Sequence, residues 1–217
     1  MKPIFNMTIR ALAPAAVAAG AALFFQPAAH AQTIIDEWTA VQTPAAPTLK
    51  QVKIDPQTTA LLVLDILKQS CNAERRPRCV ASVPKIAKLL EDARARNVTV
   101  IHSRYPGPKP EDALPETAHK GNEPSIVGLS DKFIGTDLEK MLKDKNIKTV
   151  VVVSVAAHGA ILFTAGAAAM RGFDVVVPID GMTAENTYAE QAAAWLLANA
   201  PTVGNKMSLT RMDMIGY

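Results

Sequence analysis

The sequence predicts an α/β fold: a doubly wound parallel sheet with helices on both faces. Two observations carry this. Short runs that are apolar on both faces recur along the chain, as buried parallel strands require. Between them lie longer stretches with apolar residues at helical spacing, so strands and helices alternate. Right-handed crossovers then place the helices on the two faces of one sheet.

Thr59-Ala60-Leu61-Leu62-Val63-Leu64-Asp65 is the first strand, unbroken in its apolar run and ending in a carboxylate. A helix is expected from Ser82 to Arg96, with Pro84 in its first turn and Ile86, Leu89, Leu90 and Ala93 as its buried stripe. Residues 98–102 form the second strand. Residues 104–125, with five prolines, read as a long irregular segment, a length that usually signals function or disorder. Thr136-Asp137-Leu138-Glu139 has the pattern of a capping box opening a helix that ends near Asn146. A strand over 148–154 follows, then a helix from His158 to Arg171 stopped by Gly172. Phe173–Ile179 is a further strand, Glu185–Asn199 a helix, and Thr202-Val203 a short last strand.

The N-terminus is a different object. Residues 1–31 hold no acidic side chain. Lys2 and Arg10 precede an apolar run from Ala11 to Phe25, and Ala29-His30-Ala31 has the small-x-small pattern of a cleavage site. This predicts a secretory signal peptide over 1–31, because a bilayer span takes about 20 apolar residues and the run is shorter. An uncleaved anchor is the alternative. Residues 32–57, polar and proline-containing, read as an extended arm, and 58–217 as the folded domain.

Composition excludes several functions. With 20% charged and 49% hydrophobic residues the chain is not disordered. A net charge of +3 without a Lys/Arg run argues against nucleic acid. Export to a periplasmic or extracellular space changes the reading of the two cysteines. Cys71 and Cys79, eight positions apart in a polar segment, are expected to pair as a local disulfide contributing about 2–3 kcal/mol. A reactive Cys71 thiol is the rival reading.

Ligands of such sheets bind at the carboxyl ends of the strands, where strand order reverses. Three strand ends are therefore candidates. Asp65, at the end of a wholly apolar strand, suits a general acid or base, or else caps the next segment. His102 and Arg104 end the second strand, and a substrate pocket there competes with a structural role. The turn through Ala156, Ala157, His158, Gly159 and Ala160 leads into a helix N-terminus, where backbone N–H groups can bind an oxyanion. Tight strand–helix packing explains the same small residues. No histidine pair has metal-ligand spacing, and no GxGxxG, Walker A or GxSxG motif is present, so no metal or cofactor is expected.

The stretches TALLVLD (59–65), DKFIGTDLEKMLKDKNIKTVVVV (131–153) and VAAHGAILFTAGAAAMRGFDVVVPIDGM (155–182) resemble the isochorismatase-like cysteine hydrolases. The resemblance covers most of 58–212. It implies about six strands, a small-molecule substrate and a homo-oligomer. Members use an Asp–Lys–Cys triad in which the aspartate deprotonates a cysteine that attacks an amide or imine carbon. The aspartate carries over onto Asp65. The cysteine position falls on Ala160, so the nucleophile is missing. The lysine position falls on Val127 or Gly128, and Lys132 is the nearest substitute. Isochorismatases proper also lack the cysteine and hydrolyse a vinyl ether with the aspartate as proton donor. The expected function is thus hydrolysis of a small molecule by Asp65-dependent acid–base chemistry. A ligand-binding descendant without catalysis is the alternative, and a structural role, with Leu162, Phe163 and Met170 at a subunit interface, a third.

Overall fold

The computed structural model describes residues 33–217. Residues 33–43 belong to a unit of their own, holding one helical turn, α1 (Ile34–Glu37). The leader expected over 1–31 lies outside the described residues. Pro44–Tyr217 form the compact domain.

Eight strands and four further helices build that domain: β1 (Val52–Lys53), β2 (Thr59–Leu64), α2 (Pro77–Ala95), β3 (Thr99–Arg104), β4 (Ser125–Val127), α3 (Leu138–Asp144), β5 (Thr149–Ser154), α4 (Leu162–Met170), β6 (Asp174–Pro178), α5 (Thr187–Asn199), β7 (Met207–Thr210) and β8 (Ile215–Gly216). Six strands form one sheet in the order β4-β3-β2-β5-β6-β7, every pair parallel. The doubly wound parallel sheet is as expected. Strand order reverses between β2 and β5, so the crevice of the fold opens at the ends of these two strands.

Burial explains why the central strands read so clearly. All six residues of β2 are buried, because α2 covers one face and α3, α4 and α5 pack on the other. Leu62, Leu64, Val150 and Val152 point into the larger cluster with Ile161 and Leu197. Leu61, Val63, Val151 and Val153 point into the other with Ile86 and Leu90. Each large apolar side chain so buried contributes about 1.5–3 kcal/mol of transfer free energy.

Several boundaries differ from expectation, each for a local reason. Helix α2 starts at Pro77 rather than Ser82, since proline at the first position gives up an N–H that has no helical partner anyway. Pro84 therefore lies inside the helix and costs one internal hydrogen bond. Thr136–Glu139 is not a capping box: Asp137 makes no cap, Thr136 Oγ1 accepts from Leu138 N–H, and Glu139 pairs with Lys143 and Arg171 instead. The helix expected from His158 opens with a π turn, Ala157–Ile161, before α4.

The proline-rich segment ends in an unexpected edge strand, β4, and contains two 3-10 turns, Pro110–Asp112 and Pro115–Thr117. Thr202-Val203 is a turn, with Thr202 at φ +70°, and the last strand of the sheet is β7. A side chain at Gly204 would meet the Ala198 carbonyl oxygen at 2.5 Å, so the chain is pressed against the end of α5 there and cannot pair. The arm read over 32–57 is zipped to the domain from Lys50 onward. Lys50 N–H bonds Leu209 O, and β1 pairs with β8.

Candidate active site

Asp65 stands directly after β2, at the switch point, with φ +57°. This left-handed conformation is rare for residues other than glycine, asparagine and aspartate. It turns the chain sharply out of the sheet while Asp65 N–H still bonds Ser103 O at 3.1 Å. Asp65 is only 8% exposed.

Both its oxygens are engaged. Lys132 Nζ lies 2.8 Å from Oδ2, and Ser103 Oγ donates to Oδ1 at 2.8 Å. Lys132 is fully buried and donates also to Gly128 O at 2.9 Å. A buried ammonium is tolerated only when paired and hydrogen-bonded, and Lys132 is both. The route of its side chain depends on position 128. A Cβ there would sit 3.6 Å from Lys132 Cδ and 3.1 Å from Thr136 Cγ2, so glycine leaves the space through which the lysine stem runs. Thr164, at 0% exposure on α4, fixes the backbone: its Oγ1 accepts from Lys132 N–H and donates to Ser130 O.

The turn after β5 adjoins this pair because β5 is paired with β2, Ser154 opposite Leu64. Ala157 and Ala160 are buried, Ala156 and Gly159 half-buried, and His158 is exposed. Ala157 N–H donates to Thr183 O at 2.8 Å and Gly159 N–H to Ala156 O at 3.0 Å. Those two amides are committed within the protein. Ala160, buried in the same turn, carries only a methyl group.

His102 and Arg104 sit apart from the carboxylate. Neighbouring strand residues point to opposite faces, and Ser103 takes the face toward Asp65. His102 Nε2 meets Glu123 Oε2 at 2.9 Å, and Glu123 also takes Arg94 through both oxygens. Burial lowers the His102 pKa, only partly offset by Glu123. For Glu123 burial acts upward, but Arg94, Lys120 N–H and His102 together bring it down to about 2. This cluster ties the proline-rich segment to α2 and β3. Arg104 lines a small cavity of about 20 Å³ with His102, Ser103 and His119, and its Nε has no partner.

Cys71 and Cys79 form the disulfide expected from their spacing. Ser70 was not among the sequence candidates; Ser103 figured only within the strand end at 102–104, and Gly128 only as a position where the family's lysine falls. A serine between His102 and Arg104, at the end of the strand paired with the one that ends in the carboxylate, was the available signal for Ser103. Among the described residues no group of three or more His, Cys, Asp or Glu could hold a metal, and no helix is long and apolar enough to cross a membrane.

A family model described as the isochorismatase domain matches residues 59–208. The chain is 27% identical over 138 residues to the secreted isochorismatase effector Isc1 of Verticillium dahliae, covering 58% of this chain and 73% of that protein. Its fold matches an isochorismatase-like hydrolase from Alkaliphilus metalliredigens with a TM-score of 0.65 at 22% identity, over 72% of this chain and 95% of that one. It also matches the nicotinamidase of Staphylococcus aureus with a TM-score of 0.63 at 19% identity, over 71% and 99%. The sheet order, the switch-point crevice and the match across most of the folded domain agree: the chain belongs to the isochorismatase family.

Proposed function

We propose that this protein is an exported hydrolase that cleaves an amide, imine or vinyl-ether bond of a small molecule by acid–base chemistry centred on Asp65, without a cysteine nucleophile. The observation that supports it most is the Asp65–Lys132 ion pair at the switch point. A carboxyl group held by Lys132 on one oxygen and by a hydroxyl on the other is fixed in position. For an amide, Asp65 takes a proton from an attacking water as its oxygen bonds the carbonyl carbon. It then returns that proton to the leaving nitrogen as the C–N bond breaks. Lys132 holds the carboxylate in place, and N–H groups of the 156–160 turn not committed within the protein receive the developing oxyanion. His102 and Arg104, which do not contact the carboxylate, line the small cavity beside Ser103, taken in this reading as the edge of the substrate side.

Lys132 occupies the role of the family's lysine from a displaced position in the sequence. The disulfide and the secreted relative support export. The exposed Phe163 and Met170 supply an apolar face for a homo-oligomer. Ala160 favours a second reading, in which the site binds a small ligand and performs no chemistry.

A panel of amide, imine and vinyl-ether substrates separates the two readings. Turnover by iodoacetamide-treated protein supports the hydrolase, since no free thiol is then available. Saturable binding without turnover supports the ligand-binding reading.

A further inference from the structure

The disulfide loop does more than close on itself. Residues 71–79 carry three arginines, and two of them, Arg76 and Arg78, reach across the crevice to one segment on the far side. Arg76, only 7% exposed, pairs with Glu185, while Arg78 makes a two-pronged pair with Glu190. Glu190 Oε1 in turn accepts from Ala184 N–H at 3.0 Å. Segment 182–185 holds the turn after β5: Thr183 N–H bonds Ser154 O, Thr183 O receives Ala157 N–H, and Met182 bridges to Ser154. At its near end the loop holds Asp65. Ser70 Oγ donates to Asp65 O at 2.6 Å, and Arg76 Nη1 donates to Ser70 O at 3.1 Å.

Polar bonds therefore run from Asp65 through Ser70 and Arg76 to Glu185, and the backbone between Glu185 and Thr183 carries the connection on to the bond between Thr183 O and Ala157 N–H. The two banks of the crevice, one after β2 and one after β5, are fastened across the loop that Cys71–Cys79 closes. Arg76 is the N-cap of α2 and Arg78 stands in its first turn, so both hold fixed directions only if the loop before them delivers that turn in one position. The disulfide removes the alternatives. Its sulfurs are buried in the cluster with Val83, Val153 and Val155, so the loop is also seated on the sheet.

We propose that the Cys71–Cys79 loop is an oxidation-dependent strap, which assembles the site only after the disulfide has formed. In a reducing compartment the sheet folds but the 155–160 turn is loosely held. In an oxidising one Arg76 and Arg78 lock segment 183–190, and the turn with it. The inference rests on reading Asp65 and this turn as the site. It concerns how the turn is held and not whether the site turns over substrate.

The test is amide hydrogen exchange by NMR, comparing Ala157 N–H with Val152 N–H in the middle of β5 as an internal reference. Three proteins are measured: the oxidised chain, the same chain with both thiols reduced, and oxidised Arg76→Gln. Arg75→Gln, at an exposed loop position, is the control. Exchange at Ala157 relative to Val152 is expected to rise about ten-fold on reduction and in Arg76→Gln, the scale of losing a hydrogen bond to a charged group. It should be unchanged in the control. A rise below about threefold on reduction or in Arg76→Gln overturns the strap, as does an equal rise in Arg75→Gln. Should reduction also release Val152, the sheet itself has opened, and the strap then stands or falls on oxidised Arg76→Gln alone. Failure here leaves the substrate panel above unaffected, so the two readings fail separately.

Discussion

Lys132 Nζ lies 2.8 Å from Asp65 Oδ2, although the two residues are 67 positions apart and the lysine is fully buried. Removing one member of such a pair leaves a buried charge without compensation. Lys132→Met keeps most of the stem and should destabilise the fold by about 3–5 kcal/mol in urea denaturation. Adding Asp65→Asn to that variant should recover part of the loss. A double variant as unstable as the sum of the singles would show that the two side chains do not interact.

Ser103 gives Asp65 its second donor. Ser103→Ala should cost about 1.5–3 kcal/mol, the range for a hydrogen bond to a charged group. A stability change below about 0.5 kcal/mol, the scale of neutral surface substitutions, would remove Ser103 from the site.

Ala160→Cys tests what remains of the family's machinery. Cys71 and Cys79 are bonded to each other, so iodoacetamide uptake by the oxidised variant reads position 160 alone. With Asp65 as its base, the new thiol should alkylate at least about ten-fold faster than in an Asp65→Asn background. Equal rates would mean that the carboxylate does not act on position 160.

Acid stability should report the Glu123 cluster. Glu123 is depressed from 4.5 to about 2 in the folded state, so its contribution is complete above pH 4.5 and is lost as pH falls through about 2. His102 is also lowered, so the unfolded chain takes up its proton first, and stability begins to fall as pH drops below about 6.5. Both effects have one sign. Glu123→Gln should flatten the fall in urea stability between pH 4.5 and 2, and an unchanged slope would contradict the assignment.

The fold was legible where burial forced uniform composition. The runs 60–64 and 150–153 are apolar throughout because both faces are covered, and no pattern imitates that easily. The short strand β4 was not legible, because three edge residues pair only where β3 offers them a neighbour. At the site, Asp65 stood out as a charge ending an apolar strand. Lys132 stood out as the nearest lysine, but its reach to Asp65 was not legible: it depends on Gly128 leaving room and on Thr164 fixing a loop from another helix. The strap was equally hidden, since four charges at 76, 78, 185 and 190 look like ordinary surface residues in one dimension.

The most direct measurement is turnover by Asp65→Asn beside the unaltered protein, on whichever substrate of the panel is cleaved. Asparagine accepts the left-handed backbone that Asp65 adopts at φ +57°, so the turn keeps its shape while the acid–base group is lost. Acid–base chemistry at Asp65 predicts a rate per folded molecule, the folded fraction being read by circular dichroism, that is lower by at least about 100-fold. A rate within about twofold of the unaltered protein would contradict it, because a 10²-fold effect is the least expected of a working general acid–base group.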